Sequence, residues 1–144
     1  MLKKRNASAE GTQRFVSRMR QEFSTYNQTS YRYLNGTDLM VSKVGYGSYR
    51  VDQQVDEHIE SLEDSIRSGC NIIDTSSNYT NGASEILIGN VLTKMMNQGK
   101  IERDEIILVS KTGYIQGDNL SQAIKREKID QPWPEIVKYT DGCW

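Results

Sequence analysis

Two hydrophobic periods alternate between residues 55 and 111, and that alternation restricts this chain more than any other feature of its sequence. In "QVDEHIESLEDSIRSG", Val55, Ile59, Leu62 and Ile66 recur at helical spacing, forming one apolar stripe with Glu57, Glu60, Glu63 and Asp64 mostly outside it. Gly69 is a natural helix stop. "CNIID" follows at once, a short apolar run of the kind buried on both faces of a parallel sheet. Ala83, Leu87, Val91 and Met95 then repeat every four residues, predicting a second amphipathic helix over "ASEILIGNVLTKMM". Glu85 lies near its N-terminus, where the helix dipole favours negative charge. "EIILVSK", residues 105–111, reads as the next buried strand, and "KVGYG" upstream leads into an earlier one. The resulting β-α-β-α-β order requires parallel pairing with right-handed crossovers, hence an α/β architecture: an open doubly wound sheet or a barrel.

Around this frame the chain is less regular. Asn35-Gly36, set between strand-like flanks, predicts a hairpin closed by a type I′ turn. Gly45 and Gly47 permit sharp turning or close approach of a ligand. Residues 1–30 read as an N-terminal extension, partly helical around "TQRFVSRMRQEF" or disordered, solvated, and basic through Lys3, Lys4, Arg5, Arg14, Arg18 and Arg20 against Glu10. Residues 31–144 form the domain proper. From residue 114 the pattern dissolves into a polar and aromatic tail in which "NLSQAIKREK" makes a helical turn or two.

Composition excludes several classes of function. Eighteen basic against nineteen acidic residues give a net charge of −1, with no global attraction to nucleic acid or an anionic membrane. Cys70 and Cys143 lack metal-ligand spacing and suggest no disulfide framework. No apolar run approaches the length of a membrane span, and no secretory h-region is present, so a cytoplasmic location is expected.

In parallel α/β folds, ligands meet the carboxyl ends of the strands. Asp74 closes one predicted strand, Lys111 closes the next, and Tyr79 stands in the loop leaving Asp74. Adjacent strands lie roughly 5 Å apart, so the carboxylate and ammonium can pair with the phenol nearby. A neighbouring cation favours the phenolate and moves a phenol toward use as a proton donor near neutral pH. The cation in turn needs a carboxylate partner. Such a trio suits reversible proton transfer to a carbonyl oxygen.

"NIIDTSSNYTNGASEILIG" and "ILVSKTG", preceded by the hairpin and "VSKVGYGSY", resemble the aldo-keto reductases over residues 31–113. The resemblance implies the N-terminal part of a (β/α)8 TIM barrel with a hairpin at its bottom, truncated after about three barrel strands. It also implies NADPH as cofactor, passing a hydride to a small-molecule aldehyde or ketone. By the same resemblance Tyr79 is the proton donor, Lys111 the charge that makes it acidic, and Asp74 the partner that orients Lys111. Gly47, Ser48 and Tyr49 match the segment bordering the nicotinamide, and Asp74 touches the cofactor ribose.

The family's catalytic histidine closes a fourth strand, which this sequence does not reach, and His58 does not match that position. Ser48 replaces a common threonine. A complete barrel takes about 250 residues, so the chain reads as a fragment, whose isolated form is expected to fall short of full activity. Two other readings share the resemblance: a non-catalytic regulatory protein like the channel-associated relatives, or an inactive remnant.

Overall fold

The computed structural model describes residues 6–26, 29–140 and 142–144. Lys3, Lys4 and Arg5 of the basic N-terminus lie outside them. Helix α1 (Ala9–Glu22) comes first. An antiparallel hairpin follows, of β1 (Tyr31–Tyr33) and β2 (Met40–Ser42), with Tyr31 opposite Ser42 and Tyr33 opposite Met40. Next come β3 (Tyr46–Gly47), α2 (Asp56–Arg67), β4 (Ile72–Asp74), α3 (Ala83–Asn97), β5 (Ile107–Val109) and α4 (Gly117–Lys128). Strands β3, β4 and β5 form a parallel sheet with β4 in the centre, Gly47 beside Asp74 and Asp74 beside Val109. This is the α/β alternation that the two hydrophobic periods require.

The helices bury most of the stripes that their spacing marks, although Val55, which caps α2 from outside it, Ile59 and Ala83 are only half-buried. Leu62 and Ile66 on α2 meet Leu87, Val91 and Met95 on α3, together with Ile73 of the central strand, in one core. Burying each such side chain contributes about 1.5–3 kcal/mol. Helix α2 stops as expected, because Gly69 takes φ 88° while the Cys70 N–H reaches back to the Ser65 carbonyl. Glu63 differs from expectation, being buried instead of outside the stripe. Lys94 of α3 reaches it at 2.5 Å and Arg67 at 2.6 Å, and the Lys94 ammonium holds its carboxyl below the usual range.

Four further expectations are corrected. Of the Asn35-Gly36 pair only Gly36 has positive φ, so the turn is not type I′, which needs positive φ at both central residues. Strand β5 is only half buried, with Leu108 37% and Val109 40% exposed, because it forms an edge of the sheet. The tail helix α4 runs twelve residues, more than a turn or two, and buries Ala123. Helix α1 is no solvated appendage, since Phe15, Val16 and Met19 enter the core.

The reason α1 docks is electrostatic as well as apolar. Asp104 and Glu105 have no solvent exposure. Arg14 bonds Asp104 at 2.7 Å, Arg18 bonds Glu105 at 2.8 Å, and the Ser8 N–H donates to the Asp104 carbonyl. Buried carboxylates need such partners, which in "TQRFVSRMRQEF" fall on one face at i and i+4.

Asn71 clasps the hairpin to the sheet. Its side chain, fully buried, accepts from the Ser42 N–H at 2.9 Å and donates to the Met40 carbonyl at 3.0 Å. Asn71→Ala leaves both backbone groups unpaired in the interior and is expected to destabilise the fold by about 2–3 kcal/mol, measured by urea unfolding. Tyr31 supplies a pH signature. Its buried hydroxyl donates to the Gly69 carbonyl at 3.0 Å, and burial pushes its pKa up from 10.0 to about 12. The folded state therefore keeps a proton that the unfolded chain releases, so this contribution is complete below pH 10 and is lost as pH rises toward 12. Tyr31→Phe should flatten the fall of stability across that window, at a cost of about 1 kcal/mol at neutral pH for the missing hydrogen bond.

Candidate active site

Parallel registry places the carboxyl ends of β3, β4 and β5 side by side, and the sheet delivers its chemistry there. Asp74 is the last residue of β4 and Lys111 lies two residues beyond the end of β5. Tyr79 opens a short 3-10 turn, Tyr79–Gly82, that leads into α3. The turn holds Thr80 and Asn81 at φ 50° and 53°, left-handed values that are costly for a β-branched threonine. The Tyr79 N–H donates to the Ser76 carbonyl at 3.0 Å, returning the phenol toward the sheet.

The three side chains meet. The Lys111 Nζ donates to both oxygens of Asp74 at 2.7 and 2.6 Å, and stands 3.2 Å from the Tyr79 hydroxyl. The Thr75 carbonyl accepts from the same ammonium at 2.9 Å, so the cation is held by groups on the β4 end and by the phenol. The hydrogen bond to Asp74, followed by that to Tyr79, raises the Lys111 pKa above its ordinary value of 10.5. Lys111 therefore carries its charge throughout the neutral range. The pair is open on one side, with side-chain exposures of 47% and 48% for Lys111 and Asp74, leaving it accessible to a ligand.

The strand that borders the trio contributes in two directions. Gly47 has nothing within 4 Å of where a Cβ would stand, so the face beside Asp74 is open. Tyr49, 67% exposed, stacks edge-on against Tyr79 with centroids 5.2 Å apart. Ser48 points inward: it is fully buried, and both its N–H and its hydroxyl donate to the Asp74 carbonyl at 3.0 Å. The edge beside Asp74 is thus open at Gly47 and bordered by the Tyr49 ring and the lysine-bound carboxylate. His58 is elsewhere, its Nδ1 accepting from the Asp52 N–H at the start of α2.

Sequence reasoning brought Asp74, Tyr79 and Lys111 to one place but missed Thr75. Its contribution is a backbone carbonyl, which every residue type possesses, so no side-chain pattern could announce it. It likewise missed that Glu85 accepts from the Ser110 hydroxyl at 2.6 Å.

Residues 43–141 match the sequence profile of the Aldo/keto reductase family, and the chain belongs to that family. It is 32% identical over 89 residues to the NAD(P)H-dependent D-xylose reductase of Scheffersomyces stipitis, an alignment covering 60% of this chain and 26% of that enzyme. It is 27% identical over 118 residues to the NADH-specific methylglyoxal reductase of Escherichia coli, covering 73% of this chain and 34% of the relative. Among solved structures, an aldo-keto reductase of Bacillus halodurans in its holo form superposes with a TM-score of 0.50 at 25% identity, over 71% of this chain and 34% of the other. The chain thus spans about a quarter to a third of the length of the curated relatives it matches, and its three parallel strands correspond to part of a TIM barrel. No helix among the described residues is long and apolar enough to cross a membrane.

The dominance of Asp74 over the lysine is directly measurable. Asp74→Asn removes the largest cause of the raised Lys111 pKa, so the Lys111 titration midpoint, followed by NMR of labelled lysine side chains, should fall. By linkage, a raised folded pKa contributes stability below the ordinary lysine value that is lost as pH rises through the folded one, and the variant, left with the Tyr79 bond alone, should show a weaker dependence.

Proposed function

We propose that this chain carries the proton-donating part of a nicotinamide-dependent carbonyl reductase, acting on small aldehydes or ketones with NADPH. The observation that carries the reading is the bond between the Lys111 ammonium and the Tyr79 hydroxyl, made while Asp74 grips the same ammonium from the other side. Tyr79 donates its hydroxyl proton to the carbonyl oxygen. The phenolate left behind is stabilised by the adjacent cation, which lowers the barrier to that transfer. Asp74 restrains Lys111 so that little reorganisation accompanies the charge change. The cofactor, when bound, supplies the hydride that goes to the carbonyl carbon, and is oxidised as the carbonyl becomes an alcohol.

Gly47 and Tyr49 are the residues offered to the nicotinamide end, with Asp74 near the ribose. Ser48 serves by fixing the Asp74 backbone from inside the wall, consistent with its two bonds to that carbonyl. NADPH is the cofactor proposed. The relatives differ on this point, since one is named NAD(P)H-dependent and another NADH-specific. The reaction takes a small molecule and needs neither nucleic acid nor a membrane, and a cytoplasmic setting suits the free thiols of Cys70 and Cys143.

The test is turnover of a short aliphatic aldehyde with NADPH, followed by loss of nicotinamide absorbance. Tyr79→Phe is expected to lower kcat by about 100-fold or more while NADPH affinity stays within about twofold, because a general acid contributes about 10²–10⁴-fold and the phenyl ring keeps the packing. Near-normal turnover in Tyr79→Phe removes the phenol from its role. Absence of any turnover in the unaltered chain, with NADPH still bound, points instead to a binding function on the same fold.

A further inference from the structure

The first residue beyond each of the three parallel strands is a hydroxyl side chain: Ser48 after β3, Thr75 after β4 and Ser110 after β5. All three are bonded to the first turn of one helix, α3. Ser84, fully buried, donates to the Ser48 carbonyl at 3.0 Å and shares a 3.2 Å hydrogen bond with the Thr75 hydroxyl. Glu85, its neighbour, accepts from the Ser110 hydroxyl at 2.6 Å.

Ser84 and Glu85 are the second and third residues of α3, whose cap position is Gly82, and glutamate at the third position ordinarily reaches back to an N–H of its own helix, yet α3 has no side-chain cap. Their hydrogen-bonding capacity is directed across to the sheet instead. Each strand end they hold is adjacent in sequence to a residue of the site. Ser48 precedes Tyr49, Thr75 follows Asp74, and Ser110 precedes Lys111. The Thr75 carbonyl is itself a ligand of the Lys111 ammonium.

We propose that Ser84 and Glu85 are positioning residues: the first turn of α3 pins the three strand ends at fixed relative heights, and thereby sets the contact of Lys111 with Asp74 and Tyr79. Ser84 fixes the β3 and β4 ends. Glu85 fixes the β5 end, one residue from the lysine. Neither touches the reacting groups. The contact distances in such a trio fall off within a few tenths of an ångström of optimal hydrogen bonding, so a loosened strand end is felt at the ammonium before it is felt in global stability. The importance of the device for catalysis rests on the proton-donor reading above, whereas its effect on Lys111 does not.

The experiment compares the full chain with Ser84→Ala, Glu85→Ala and Glu85→Gln. Lys111 is titrated by NMR of labelled lysine side chains, its signal assigned by loss in Lys111→Arg, and folding is followed in parallel by thermal unfolding. Ser84→Ala and Glu85→Ala should each lower the Lys111 midpoint, because the bond to Asp74 that raises it is loosened. Glu85→Gln should restore the midpoint, since the amide oxygen still accepts from Ser110. Aldehyde turnover with NADPH should fall about tenfold in the two alanine variants with the KM for NADPH unchanged. An unchanged midpoint in folded Ser84→Ala and Glu85→Ala overturns the proposal, as does a Glu85→Gln midpoint as low as that of Glu85→Ala. Should Ser84→Ala fail to fold, the Glu85 pair decides alone. If the unaltered chain binds NADPH but reduces no aldehyde, the proton-donor reading falls while the lysine midpoints still decide the positioning role.

Discussion

The parallel pairing of β4 on both of its edges is the constraint from which the rest follows. Ile73 in its middle has no exposed surface, Gly47 and Val109 flank its last residue, and the helices that cross between strands have only one core to fill. Once three strands run in the same direction in register, their carboxyl ends share one rim. Side chains far apart in sequence then come within hydrogen-bonding distance without any contact of their own drawing them together. The ion pair between Lys111 and Asp74 is a consequence of the sheet, not its cause, as its half-exposed setting shows.

The two ends of that sheet are secured by different means. At the bottom, buried polar groups do the work: Asn71 ties the hairpin to β4, and the arginines of α1 neutralise two carboxylates that have no access to water. At the top, hydroxyls from the strand ends and the first turn of α3 form the ties. The division has a physical logic. Carboxylates sealed at the bottom depend on the partly exposed guanidinium groups that reach them and tolerate no loss of those partners. At the top the ties are two hydroxyl bonds of Ser84 and one hydroxyl–carboxylate bond from Ser110 to Glu85, beside the half-exposed Lys111–Asp74 pair.

The primary sequence foretells the fold where spacing encodes direction. Helical stripes placed Leu62, Ile66, Leu87, Val91 and Met95 in the core, and apolar runs ending in Asp74 and Lys111 marked the carboxyl rim. It failed where burial depends on what a distant segment supplies. Glu63 is indistinguishable from its exposed neighbours until Lys94 arrives from another helix. The N-terminal helix looks like a basic tail until Asp104 and Glu105 are seen beneath it.

The sequence by itself determined the order of elements, the α/β class and the identity of the three side chains that meet at the rim, because hydrophobic period and strand-end position are local properties of the chain. Only the tertiary structure decided that the Lys111 ammonium has a backbone carbonyl as well as a carboxylate for company, that Ser48 faces the wall and not the cleft, and that α3 ties all three strand ends. Those outcomes depend on how far apart atoms lie once separate segments have packed, and no period in one segment carries that distance.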